Sequence, residues 1–131
     1  MNRIRIGIAG LAAAGAAAVV LAPAAALADV GTSSAADCKL GDVCVWSGAN
    51  ATGTMCAWDG DDPDWQAGAV QCKPYGFKVK SLMNHGRVGS YDQVQFYKYA
   101  NYSGRVLDPL PPTAKVYNVD LEFRSHHWVD M

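Results

Sequence analysis

Glutamate is nearly missing from this chain: Glu122 is the one glutamate among 12 acidic residues. Histidine is almost as scarce, with only His85, His126 and His127. Neither G-x-S-x-G nor H-E-x-x-H occurs. A hydrolase needs a nucleophile beside a base, or paired carboxylates in a cleft, and no such set is visible. The chain therefore reads as not an enzyme. No C-x-x-C pair exists among the 4 cysteines, which argues against a structural zinc. There is no basic excess, 11 Lys and Arg standing against 12 Asp and Glu, so a nucleic-acid-binding face is excluded. No segment keeps a helical period beyond about two turns.

One apolar run is present, at the start. Arg3 and Arg5 precede an uncharged Ala-, Leu-, Ile- and Val-rich stretch from Ile6 to Ala22, followed by Pro23 and Ala26-Leu27-Ala28. Charge, apolar run and small-residue site form the pattern of a cleaved secretory signal, with the cut after Ala28. The run is short of a span of about 20 residues and broken by glycines, so it does not read as an anchor. Residues 1–28 are thus expected to be a signal peptide and 29–37 a flexible segment. One small domain follows over 38–131. Without Arg3 and Arg5 the mature chain has 9 basic and 12 acidic residues, a net charge of −3. It is expected outside the cell, off the membrane and monomeric. All four cysteines, Cys38, Cys44, Cys56 and Cys72, remain, and an even count in a small exported protein implies disulfides. Three pairings are possible; Cys38–Cys44 with Cys56–Cys72 is favoured because both close short loops.

What the chain has in place of helices is a repeat. Val43-Cys44-Val45-Trp46-Ser47-Gly48-Ala49-Asn50-Ala51-Thr52-Gly53 aligns without a gap, at an offset of 51, with Val94-Gln95-Phe96-Tyr97-Lys98-Tyr99-Ala100-Asn101-Tyr102-Ser103-Gly104. A repeat over so many positions marks a duplicated structural unit. Each copy reads as strand, Gly-containing turn, strand, with second strands at Thr54–Trp58 and Arg105–Leu107. Further apolar runs lie at Phe77–Met83, Val116–Val119 and Leu121–Val129. Short strands with turns between them predict an all-β sandwich. Asn50-Ala51-Thr52 and Asn101-Tyr102-Ser103 match the glycosylation sequon. Their equivalent places in two turns favour turn chemistry, since asparagine tolerates left-handed backbone.

Tyr97-x4-Tyr102-x-Gly104, an aromatic, a second five on and a glycine two further, resembles the βγ-crystallin Greek-key motif. Trp46 and Gly53 fit the same frame, with Ala51 in place of the second ring. The resemblance implies a sandwich of two duplicated motifs, about 38–86 and 90–131, forming two four-stranded sheets. It makes Trp46, Gly53, Tyr97, Tyr102 and Gly104 scaffold residues and the first hairpin the weaker ring clasp. The signal, the early Cys-x5-Cys-x-Trp and the closing Ser125-His126-His127-Trp128-Val129 resemble small exported proteins grouped with the Streptomyces metalloproteinase inhibitor. That likeness implies a secreted peptidase inhibitor, its partner a metallopeptidase. The competing classes are an extracellular crystallin-like structural or stress module and a toxin-like antimicrobial protein.

The resemblance also raises calcium, since microbial βγ-crystallins bind it through an N/D-N/D-x-x-S/T-S stretch in each motif. Gly76–Ser81 here lacks both acidic positions and puts Lys80 at a ligand place; Asp120–Ser125 keeps Asp120 but has Leu121 and Arg124. A hard cation needs six to eight oxygens, so no metal and no cofactor is expected. Asp59, Asp61, Asp62 and Asp64 read as a solvated acidic loop. His126 and His127 are adjacent on a strand, point to opposite faces and read as surface or edge packing. Two loops remain as candidates for a rigid, substrate-like inhibitory segment. Asp59–Lys73 offers Ala69-Val70 beside a cysteine; Asp108–Lys115, stiffened by three prolines, offers the bonds at Leu107 and Leu110.

Overall fold

The computed structural model describes residues 33–131; the expected signal peptide and its cut after Ala28 lie outside them. Among the described residues seven strands follow a 3-10 turn at Ala35–Asp37. They are β1 (Val43–Gly48), β2 (Thr52–Trp58), β3 (Ser81–Asn84), β4 (Gln93–Tyr99), β5 (Ser103–Arg105), β6 (Lys115–Val116) and β7 (Ser125–Val129). Among the described residues no helix is long and apolar enough to cross a membrane.

Two antiparallel sheets form the sandwich, one in the order β2-β1-β3-β6 and one in the order β5-β4-β7. Two equal sheets of four strands were implied; the second has three. Its fourth place is held by a single bridge, Asp62 to His126. Each sheet thus takes its last member from the other half of the chain: β6 pairs with β3, and Asp62 pairs with β7. The strands are also shorter than their apolar runs suggested. Val119 and Leu121 leave the ladder, and Leu121 meets Val79 only in an isolated bridge.

β1 shows how period-2 alternation fills both faces. Val43 and Val45 point into the main core with Trp58, Leu82, Val94, Phe96 and Phe123. Cys44 and Trp46 point the other way, into a second cluster with Cys38, Ala51 and Met83. That outer face is covered because the Cys38–Cys44 disulfide holds the preceding segment over it. The second disulfide is Cys56–Cys72, so the local pairing is the one observed.

The two halves share one turn geometry. Asn50 and Ala51, and likewise Asn101 and Tyr102, have φ between 56° and 60°. Left-handed asparagine was expected; left-handed Ala51 and Tyr102 were not. Each strained turn is bolted by a serine from a distant strand. Ser81 Oγ accepts from Ala51 N at 2.9 Å and donates to Gly48 O at 2.7 Å. Ser125 Oγ accepts from Tyr102 N at 3.1 Å and donates to Tyr99 O at 2.6 Å. Gly53 and Gly104 come next with positive φ, and a side chain at Gly104 would run into the Tyr99 ring, 2.7 Å away. Tyr97 and Tyr102 meet as the ring clasp, centroids 5.8 Å apart and planes tilted by 59°. In the first half the small Ala51 packs beside fully buried Trp46 instead.

Replacing Ser81 or Ser125 by alanine leaves a backbone donor and acceptor unpaired in each turn. Each substitution is expected to cost about 1–3 kcal/mol in urea unfolding. Serine to cysteine, which keeps a weak donor and acceptor, should cost less.

Candidate functional site

The segment between β2 and β3 begins with the acidic run and is tied down by one buried histidine. His126 is fully buried in β7, contrary to the surface or edge position expected. Its Nδ1 accepts from Trp65 Nε1 at 2.9 Å, and its Nε2 lies 2.7 Å from Gly60 O. An indole can only donate and a carbonyl can only accept. The imidazole is therefore neutral, with its proton on Nε2. Burial holds its pKa down at about 4, the direction expected of a cation moved out of water.

Asp62 and Asp64 also depart from the solvated loop expected. Asp62 is buried, and its carboxylate accepts from Trp58 Nε1 and from Asp64 N, both at 2.9 Å. Burial raises its pKa against those two bonds. Asp64 makes a two-pronged pair with Arg124, Nε to Oδ1 and Nη2 to Oδ2, both 2.9 Å. The Arg124 hydrogen bonds hold the Asp64 carboxyl below its ordinary value. Asp59 and Asp61 stay at the surface, Asp61 lying 2.8 Å from His127 Nδ1 on the outer side of β7. The two adjacent histidines do point to opposite faces. Their scarcity hid which one is inward; Trp128, two residues on and packed against the core, was the available signal, since alternate residues share a face.

Trp65 ends this anchored stretch. It is buried and stacked on Trp58, centroids 4.5 Å apart. Its N–H donates to Arg124 O, and its carbonyl accepts from Cys72 N, both at 2.8 Å. Cys72 is buried as well and bonded to Cys56. Between these fixed ends Ala67, Gly68, Ala69, Val70 and Gln71 are exposed, Val70 by 49%. Ala67 N donates to Asp64 O and Gln71 Nε2 to Gly68 O, which limits the tip's freedom. A groove of about 640 Å3 runs beside it, lined by Trp58, Asp59, Asp62, Ala67 and Val70 among others.

The second candidate loop is not free. Leu110 is only 7% exposed and exchanges both backbone bonds with Val94, at 3.0 and 2.8 Å. Its carbonyl also accepts from Asn84 Nδ2. Leu107 packs against the core, with its carbonyl held by Gln95 Nε2. Prolines at 109, 111 and 112 suggested an extended presenting segment. The apolar side chains between them draw it inward, where buried Asn84 and Gln95 meet its carbonyls. Ala69-Val70 and Leu107-Leu110 are thus not brought together. Among the described residues no group of three metal-ligating side chains occurs.

A family model described as "Peptidase inhibitor family I36" matches residues 31–107. The matched span contains both disulfides and the whole Ala67–Gln71 tip. No curated protein and no solved structure matches the chain.

His126 predicts acid sensitivity. Its pKa falls from 6.5 when unfolded to about 4 when folded, so the unfolded chain binds the extra proton between those values. The stability due to neutral His126 is complete above pH 6.5 and is lost as pH falls to 4, a change of about 3 kcal/mol. The raised pKa of Asp62 acts in the opposite direction near the bottom of that window. Urea unfolding at pH 7, 5.5 and 4.5 should show the loss, and His126→Gln should flatten it.

Proposed function

The chain belongs to peptidase inhibitor family I36, and we propose that it acts outside the cell, as a monomer, on a secreted metallopeptidase, entering the active cleft through Ala67–Gln71. The observation that carries this reading is an exposed tip with both ends immobilised. Trp65 is held by Arg124 O and His126, and Cys72 by Trp65 O and the disulfide to Cys56. Such a segment has already lost most of the freedom that binding would remove, so less of the contact energy is consumed in ordering it. Closing 16 residues of chain by Cys56–Cys72 is worth about 3 kcal/mol in the loop-entropy account.

The tip's chemistry suits a cleft. Ala67, Gly68 and Ala69 are small, so backbone can approach enzyme backbone closely. Val70 supplies the one branched apolar side chain, for the pocket that accepts the residue after the scissile bond in thermolysin-like enzymes. The peptide Ala69–Val70 then sits at the catalytic metal as a poor substrate. After attack the two new ends stay held by the disulfide and by Trp65, which favours religation over release. No protein side chain of this chain needs to supply chemistry; its role is to orient a peptide bond and hold it still.

Titration of a thermolysin-type metallopeptidase with the oxidised mature protein should remove activity stoichiometrically, with slow cleavage at Ala69–Val70. Val70→Asp should raise the inhibition constant by at least about tenfold, roughly 1.4 kcal/mol, with an unchanged melting temperature. Full enzyme activity with rapid digestion would dismiss this target class, and slow cleavage elsewhere would dismiss this loop.

A further inference from the structure

A second groove of about 740 Å3 opens between the segments that precede β1 and β4; it adjoins the groove beside the tip, the two meeting at Lys39, Asp42 and Asp59–Asp61. Its volume lies in the range of about 300–1,000 Å3 typical of small-molecule sites. The walls carry Lys39, Asp42, Arg87 and Ser90, with Tyr91 and Trp128 as the aromatic surfaces. Two observations set it apart from an ordinary surface dent.

The first is Tyr91. It is 63% exposed and has φ of 52°, a left-handed backbone that bulky residues rarely adopt. The left-handed turn residues Ala51 and Tyr102 are bolted by serines; Tyr91 has no such bolt, and its ring joins neither core cluster. Gly89 N donates to Asp92 Oδ2 at 2.9 Å and closes the turn around it. Strain at a residue with no packing role points to a use for the side chain. The second is the polar lining. Among the described residues the charged ends of Lys39, Asp42 and Arg87 pair with no protein group, so donors and acceptors face the groove unengaged.

We propose that this groove binds a short neutral oligosaccharide, a pyranose ring stacking on Tyr91 and its hydroxyls bridging Arg87 and Asp42. A pyranose has an apolar face of C–H groups that matches an aromatic ring. Each of its hydroxyls both donates and accepts, which suits a wall carrying carboxylates and a guanidinium together. Lys39 and Arg87 stand against Asp42, Asp59 and Asp61 in the lining, a slight acidic excess that disfavours an anionic sugar. An extended peptide would instead need a free strand edge. The outer edge of β7 beside the groove is already used, by the Asp62–His126 bridge and by Trp128 N donating to Asp61 Oδ1 at 2.7 Å.

The site does not depend on the inhibitory reading, and its test uses no peptidase. Chitotriose, cellotriose, maltotriose and mannotriose are each titrated into the mature protein by calorimetry, with amide shifts followed by NMR. Saturable binding of at least one, with Kd of about 1 mM or tighter, is expected, with shifts centred on residues 39–42 and 86–91. Tyr91→Ala and Arg87→Ala should each weaken it by at least about tenfold, while Tyr91→Phe retains it and all three keep the parent melting temperature. Absence of saturable binding to all four sugars would overturn the assignment. So would binding that both alanine variants leave unchanged.

Discussion

The hydrogen bond from Trp65 Nε1 to His126 Nδ1 is the constraint on which the rest of the structure turns. It joins residues 61 apart in sequence inside a core that excludes water. Because the donor cannot accept and the ring's other nitrogen faces Gly60 O, only one neutral tautomer satisfies both. One imidazole therefore fixes the start and the end of the acidic run, and β7 with it. Trp58, Trp65 and Phe96 pack round that ring, and Phe123 packs on Trp65 and Phe96, so the main aromatic core and the anchored loop are one assembly.

Duplication and divergence divide the labour. Both halves use the same left-handed turn and the same serine bolt, which makes them equivalent as scaffold. They differ in the segment that leaves each hairpin. After the first, a disulfide and a buried tryptophan hold the chain at two points and leave five residues outside. After the second, Asn84 and Gln95 take carbonyls of the proline-rich segment and Leu110 fills the core. A loop held by its ends can be presented; a loop held along its length cannot. That asymmetry, more than the repeat, decides which segment is available to a partner.

Lys78 and Lys80 occupy the stretch that the βγ-crystallin resemblance would make a calcium site. Val79 bridges Leu121, and the flanking lysines lie 4.0 Å from Glu122 and 3.8 Å from Asp120. Attached ammonium groups occupy the neighbourhood of carboxylates that an ion would otherwise need. The pairs are exposed, so they contribute little stability.

The all-β character, the duplicated hairpin, the local disulfide pairing and the inhibitor family were legible in the sequence by itself. All rest on short-range information: strand alternation, turn residues, cysteine spacing and a motif repeated at one offset. The sequence did not determine which candidate loop is free, which histidine is buried, or that Asp62 is buried and Asp64 paired with Arg124. Those were decided by tertiary structure, because each depends on a partner distant in sequence: Arg124 for Asp64, His126 for Trp65 and Gly60, Asn84 for Leu110. A proline run or an acidic run looks exposed when read locally. Only the closed sandwich shows which backbone carbonyls find buried donors, and therefore which segment remains outside.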